Sequence, residues 1–486
     1  MENAWLLIIP LSITILLCFF TFSNQNKPHK PKRLPPNPPI LTALLNPSFV
    51  RNRPITTLHG GGGAFSSSRT VILISDHALT HKALIHHAAA FADRPKPTSA
   101  NHHHHLTINS ASHGPLWRLL RRNLTSEILS PSKIKSYAHA RKWVLDVLLD
   151  DLKSQSETNN AVTVDHTFRH AMFRLLMMMC FGENPDKATV RAVEAAQRDM
   201  IACTVRLNAR GLWPRLLFKK RWREFLNISR AQQDLLLPLI RERKNHKHNS
   251  SFGYVDSLFK IEIQENGVVR RLDEDEMVSL CAEFLQGGTD TTSATLQWVM
   301  ANVVKHPHVQ AKLFEEIASV VRERERVNEE DLPRMRYVKA VVLEGLRRHP
   351  PLQFGLPHAV SEEVSVGGYV IPRNATVRFA VAEMGWDEKV WEEPMEFRPE
   401  RFMKGGEAEG VDITGGGDFK MMPFGVGRRV CPGLGIAMLH LEYFVANLVR
   451  VFEWKVLEGE GVDLSEKVEF TAVMKKPLKA MILVRK

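Results

Sequence analysis

Near the C-terminus the chain reads Phe424-Gly-Val-Gly-Arg-Arg-Val-Cys431-Pro-Gly433. A lone cysteine set among glycines and arginines suits a loop that offers one thiolate to a metal. Gly427 permits a tight turn with backbone N–H groups near the sulfur, and such hydrogen bonds tune a metal–ligand bond. Gly433 removes side-chain bulk where a following helix would pack close to a porphyrin. Arg429 has the guanidinium geometry that matches a carboxylate such as a propionate, and Phe424 can shield the sulfur from water. A thiolate below a haem iron supplies electron density that favours O–O cleavage, so these residues point to oxygen activation. The plainer alternative is a glycine turn around a buried structural cysteine.

A second group, Phe284-Leu-Gln-Gly287-Gly288-Thr-Asp290-Thr291-Thr292, sits inside a helical pattern. Paired glycines weaken a helix ladder, and threonine hydroxyls compete for its carbonyls. A local opening there would make room for dioxygen and a water. The alternative is glycines for helix packing and a threonine bonded to its own helix. Glu344-Gly-Leu-Arg347 places opposite charges three residues apart on one helical face. Trp117-Arg-Leu-Leu-Arg121 likewise puts an indole and a guanidinium on one face.

The elements that must position these groups are mostly helical. From Trp117 to about Pro350, stretches such as Asp273 to Val304 and Val309 to Arg322 carry apolar residues at helical spacing with charged faces. Val71 to Ser75, Val364 to Ile371 and Ala480 to Val484 read as short strands. The expected fold class is mainly α with small β-sheets, an α+β chain, and no internal repeat is apparent. Gly60 to Gly63 lacks the Lys-Ser/Thr of a phosphate loop, and His102 to His105 has no second-ligand pattern around it. Both read as plain loops.

The 486-residue chain has a formal charge of +12. Its charges are dispersed and no nucleic-acid motif is visible, so a membrane surface or an acidic redox partner accounts better for the sign. Five scattered cysteines make no disulfide framework and fit a reducing compartment. Zinc or disulfide use of Cys431 lacks partner cysteines. Ala4 to Phe22 is nearly all apolar and uncharged, about long enough to span a bilayer, and Lys27, Lys30, Lys32 and Arg33 follow it. Positive-inside bias then places the body of the protein in the cytoplasm. A cleaved signal peptide would want basic residues first and a small-residue cleavage site, and neither is clear. Pro31-Lys-Arg-Leu-Pro-Pro-Asn-Pro-Pro39 reads as a stiff, extended segment.

Taken in order, these motifs resemble the cytochrome P-450 superfamily. Phe424, Gly427, Arg429, Cys431 and Gly433 fit its cysteine-loop signature. The resemblance runs from the anchor to the last strand, and its texture is that of plant microsomal members, family eighty-nine, subfamily A. It implies the cytochrome P-450 fold with an N-terminal transmembrane helix: residues 1–26 as membrane anchor, 27–39 as a basic, proline-rich hinge, and 40–486 as one haem-thiolate catalytic domain. It implies haem b with Cys431 as axial ligand. Trp117, Arg121, His358, Phe424, Arg429 and Gly433 then surround the cofactor. Thr291 would hold oxygen and its water while Asp290 relays protons from solvent. Glu344, Arg347 and Arg401, the last within Phe397-Arg-Pro-Glu-Arg401-Phe402, would form a buried ionic network without a direct chemical role. Phe284, Leu285, Leu352, Phe354, Leu356, Phe470 and Val473 fall where family members line an apolar pocket. By eye, residues 40–76 are about twenty residues shorter than the family pattern.

The activity implied is insertion of one atom of dioxygen into an apolar small molecule, in the endoplasmic reticulum membrane with the catalytic domain cytosolic. No dinucleotide fingerprint follows a strand. Electrons would therefore come from an NADPH-dependent flavoprotein reductase, steered by Arg122, Lys420 and Arg428. Two other readings stay open. A haem-thiolate isomerase or lyase would use the same loop, although Asp290-Thr291 argues against it. A non-catalytic or decayed member of the fold would keep the motifs without the chemistry.

Overall fold

The computed structural model describes residues 55–59, 70–95, 106–182, 185–208, 215–245, 252–322 apart from 266, 324, and 326–485 apart from 418. The expected anchor and hinge, Gly60 to Gly63 and His102 to His105 lie outside the described residues. Helical spacing becomes α1 (Pro115–Glu127), α2 (Ala138–Asn159), α3 (Val164–Phe181), α4 (Lys187–Asn208), α5 (Arg215–Asn245), α6 (Glu274–Lys305), α7 (Pro307–Val321) and α8 (Arg336–Arg348), with α9 (Leu434–Val451) after the cysteine loop.

Helix α6 is the centre of the fold, and its start is written in the sequence. Asp273 accepts from the Glu276 backbone N–H at 2.8 Å, and Glu276 accepts in return from the Asp273 N–H at 3.0 Å. This reciprocal cap satisfies two donors that helix geometry leaves orphaned. Acidic residues fill the first turn and Lys305 the last, in the sense that opposes the helix dipole. Nearly every residue from Thr292 to Val304 is buried, against α3, α8 and α9. Two glycines set how close the neighbours come. A Cβ on Gly288 would lie 2.8 Å from Leu176 Cδ1 of α3, and one on Gly345 of α8 would lie 2.4 Å from Val299 Cγ2. Gly287, by contrast, faces open space. The helix is continuous from Glu274 to Lys305, so the opening expected at the glycine pair is not present.

The strands form small sheets, as expected. Ile55–His59 runs antiparallel to Thr70–Ile74, which lies parallel to Thr376–Phe379; His358–Ala359 pairs on the far edge of that strand. The segment expected to be shortened therefore still contributes a strand. The run Val364 to Ile371, expected as one strand, is a hairpin of Val364–Val366 and Tyr369–Ile371. Gly367 and Gly368 both have positive φ, 59° and 84°, which makes the two-residue turn. Lys479–Val484 pairs with Phe452–Lys455 and with Val162–Thr163.

Among the described residues, α9 is the one helix long and apolar enough to cross a membrane. Two thirds of that span is buried inside the protein, against α6 and α8. It is a core helix by packing.

The Glu344 carboxylate is fully buried and receives two parallel hydrogen bonds from Arg347, at 2.7 and 2.8 Å. It also accepts from the Arg398 N–H at 2.8 Å and from Arg401 Nε at 3.4 Å. Arg347 reaches the carbonyls of Gly385, Pro394 and Glu396. Arg401 reaches Glu393 O and Glu407. The three groups expected to meet do meet, and at almost complete burial. Removing one member leaves charge unpaired in a dry interior. Glu344→Ala is expected to lose about 3–5 kcal/mol of stability, and to yield little haem-loaded protein in a parallel expression and pigment assay. Normal yield and pigment content would show that the network is dispensable.

Candidate functional site

The cysteine loop is fixed by its glycines and its own backbone. Gly427 has φ +75°, and a Cβ there would lie 2.3 Å from the Leu84 carbonyl oxygen. Both facts demand glycine. The Cys431 N–H donates to Phe424 O at 2.9 Å, the Val430 N–H to Gly427 O at 3.1 Å and the Gly425 N–H to Met422 O at 2.9 Å. Cys431 is half-buried at the entry to α9. Burial pushes its thiol up, while the Gly433 backbone N–H and the Arg121 charge pull it down. Those two groups favour the thiolate, the form that binds metals. Gly433 is less constrained than expected from the protein side. A Cβ there would make ordinary contacts of 3.7 Å with Ile436 and 3.8 Å with the Cys431 sulfur.

Around the loop the polar groups are cationic. Arg121 Nη2 donates to Val430 O at 2.6 Å, tying α1 to the residue beside the cysteine. Arg429 donates to Ala92 O at 2.7 Å, Ile108 O at 3.1 Å and Ala111 O at 2.6 Å. One N–H on each terminal nitrogen stays available for a carboxylate. Its guanidinium lies 4.6 Å from the Trp117 ring centre. Arg94 is buried, bonds the carbonyls of Asn109, Leu356 and Pro357, and stands near Arg429. Burial lowers both guanidinium pKa values to about 10, although Asp93 opposes the shift in each. His358 is buried with Nδ1 2.6 Å from Phe91 O. Burial, then Arg94, lower its pKa to about 3, so the ring is neutral. With Nδ1–H donated to Phe91, its Nε2 is an acceptor, and the ring donates to a carboxylate only as the other tautomer.

The family's cofactor can be tested against these residues. Trp117 Nε1 is buried and has no hydrogen-bond partner. Buried donors are rarely left so. An orphaned indole N–H beside Arg429 and Arg121, with a fixed cysteine at the entry to α9, fits a planar ligand that carries carboxylates on one edge and takes a thiolate below. The residues therefore fit haem.

On α6 the two expected residues point in different directions, as neighbours about 100° apart on a helix must. Thr291 is half-buried, and its hydroxyl donates to Gly287 O at 2.8 Å, on the side that the glycine leaves open. Asp290 is buried and faces the other way, 3.5 Å from Arg169 Nε of α3. Burial raises its pKa, and Arg169 and then Arg198 oppose that. It lines a crevice of about 10 Å³ with Glu194, Gln197 and Arg198. Glu194 Oε1, Gln197 Oε1 and Arg169 Nε are buried there without hydrogen bonds. Such a set suits roughly one bridging water. Of the expected pocket wall, Leu352, Phe354, Leu356, Phe470 and Val473 are half-buried. Leu285 is fully buried in the helix interface, and Phe284 packs on Tyr254 at 5.2 Å.

Two residues of the site were absent from the sequence expectations. Glu283 of α6 accepts from the N–H groups of Ile108 at 2.6 Å and Asn109 at 2.7 Å. Burial raises its pKa to about 7, against the pull of those two bonds. Since Ile108 O accepts from Arg429, this turn couples the distal helix to the cysteine loop. Arg94 is the other, and the Phe91-Ala-Asp-Arg94-Pro run was its only sequence signal.

The comparisons with known proteins agree with this geometry. The sequence profile of the family described as Cytochrome P450 matches residues 63–484. The chain is 42% identical to "Cytochrome P450 89A9" of Arabidopsis thaliana over 98% of this chain and 97% of that one. It is 30% identical to "Isoflavone 2'-hydroxylase" of Glycyrrhiza echinata over 98% and 96%. A zebra fish cytochrome P450 structure with progesterone superposes with a TM-score of 0.75 at 21% identity, over 92% of this chain and all of that one, and so matches in fold. Matched in sequence over most of its length and in fold over nearly all of what is described, the chain belongs to the cytochrome P450 family of haem-thiolate monooxygenases.

Proposed function

We propose that this monooxygenase inserts one atom of dioxygen into an apolar, ring-bearing small molecule, with Cys431 as the axial thiolate. The observation that carries the reading is the glycine-fixed Cys431 in one loop with Arg429, whose guanidinium lies over Trp117 with its orphaned N–H. Among the described cysteines, Cys180, Cys203 and Cys281 are buried, and Cys431 alone is half-buried. Haem, when bound, supplies oxygen activation assisted by its thiolate.

The chain's own residues do the rest. Trp117, Arg121 and Arg429 would hold the carboxylate-bearing edge of the haem. Thr291 Oγ1, with its proton on Gly287 O, presents lone pairs to a water on the open face of α6. Asp290, with a raised pKa, takes up and releases a proton nearer neutrality than an exposed aspartate does. Its crevice of unsatisfied polar atoms connects that proton to α3 and α4. The half-buried Leu352, Phe354, Leu356, Phe470 and Val473 supply an apolar wall for substrate. Relatives named as isoflavone and flavonoid hydroxylases support hydroxylation as the reaction class.

Residues 1–26 act as membrane anchor, 27–39 as hinge and 40–486 as the catalytic domain on the cytosolic face of the endoplasmic reticulum. The alignment with the Arabidopsis relative spans 508 positions, more than the 486 residues of this chain, so it contains gaps on this side. An NADPH-dependent flavoprotein reductase supplies electrons. Arg122 and Arg428 are exposed on the cysteine-loop side and suit an acidic partner, while Lys420 is half-buried and bonds Glu407 O.

Three outcomes are expected. Cys431→Ser abolishes the red-shifted Soret band of the ferrous carbon monoxide complex; survival of that band would remove Cys431 from the iron. Protease added to intact microsomes digests the body of the protein, and protection of the body would reverse the topology. Thr291→Ala keeps haem and its reduction but yields less product and more hydrogen peroxide per NADPH. General acid–base help is typically worth ~10²–10⁴-fold, and water replacing the hydroxyl puts this loss at the low end. Unchanged coupling of NADPH to product would leave Thr291 with only its helix bond.

A further inference from the structure

A surface cavity of about 230 Å³ lies between α2, α3 and the start of α4, and shares no lining residue with the haem site. Its floor is apolar: Val144, Val147 and Leu148 from α2 and Ala171 from α3. Its rim is cationic: Arg174 from α3, with Lys187 and Arg191 one turn apart on α4. His166 and His170 complete that side, and Asp151 is the one carboxylate in the lining. Asp151 accepts from Gln155 at 3.0 Å, and His170 Nδ1 is bonded to Glu194 at 2.8 Å.

Arg174 is the anomaly. It is 6% exposed, and its Nε is buried with no hydrogen-bond partner. Among the described residues it meets no carboxylate, only the face of Trp143 at 4.2 Å. A buried guanidinium nitrogen ordinarily has an acceptor beside it, because an unsatisfied buried donor is costly. Its planar fork suits a carboxylate taken through two bonds. Lys187 and Arg191 add charge that a single neutral ligand would not need. The floor excludes a small hydrated anion as the best occupant, since only an apolar body covers it. An apolar cavity of about 150 Å³ holds benzene, so about 230 Å³ is room enough for a phenyl ring with a short acid chain.

We propose that this cavity is a second ligand site, for a small aryl or alkyl carboxylate whose acid group lies on Arg174 and Lys187. The test uses the full-length, haem-loaded protein and phenylacetate as probe, with calorimetry and the Soret spectrum followed together. One-to-one binding without a Soret change is expected. Affinity should fall at least tenfold, about 1.4 kcal/mol, in Arg174→Gln, in the surface double variant Lys187→Gln/Arg191→Gln, and when phenylacetamide replaces phenylacetate. The double variant decides the matter should Arg174→Gln fold poorly. No binding at millimolar phenylacetate, a Soret shift that tracks binding, equal affinity for the amide, or full affinity in the double variant would each overturn the proposal.

Discussion

One buried carboxylate organises the lower half of the molecule. Glu344 would be intolerable in the core alone, and its neutralisation by Arg347 and Arg401 draws in the chain from Gly385 to Glu407. Arg347 spends its remaining donors on carbonyls that no helix or sheet would satisfy. That irregular stretch leads directly into the cysteine loop, and Lys420 is tied back to it through Glu407 O. Well-packed apolar residues in place of such a cluster are often as stable. They would not specify where a long segment without regular structure must lie. The position of the thiolate is thus set by electrostatics some thirty residues upstream as well as by its own turn.

The site is assembled from opposite directions around this frame. Helix α9 follows the cysteine loop, α6 carries Asp290 and Thr291, and the turn at Ile108 and Asn109 joins the two sides through Glu283 and Arg429. Because that turn bonds through its backbone, its geometry depends little on its own side chains. The cationic groups Arg94, Arg121 and Arg429 crowd together against the preference of like charges. Each is held by carbonyl oxygens of segments distant in sequence.

Much of this was legible in the sequence because it rests on side chains with unmistakable chemistry. Cys431 and the Glu344–Arg347–Arg401 cluster are patterns of residue type at fixed spacing. The strand ends at Ile74 and Val484 followed from β-branched runs beside breakers. What escaped has no such signature. Arg94 and Glu283 bond main-chain atoms distant in sequence, and nothing in their own neighbourhoods announces those partners. The hairpin at Gly367-Gly368 was taken as one strand because two glycines in a short apolar run signal a bulge or a turn equally well. The glycine pair in α6 suggests an opening in the helix, yet the helix runs unbroken there with Gly288 packed against Leu176.

That pair has a consequence for how the chain can diverge. Gly288 and Gly287 are adjacent and chemically identical, but they answer to different constraints. A methyl group at Gly288 meets the Leu176 Cδ1 end of α3 at 2.8 Å, so that side chain must shift to admit it. A methyl group at Gly287 meets no protein atom within 4 Å, so the folded state is indifferent to it. Its only encounter is with whatever occupies the space beside Thr291. Of the two positions, Gly287 is the one where a side chain would enter open space on the Thr291 side of the helix, whereas at Gly288 it would displace the end of Leu176.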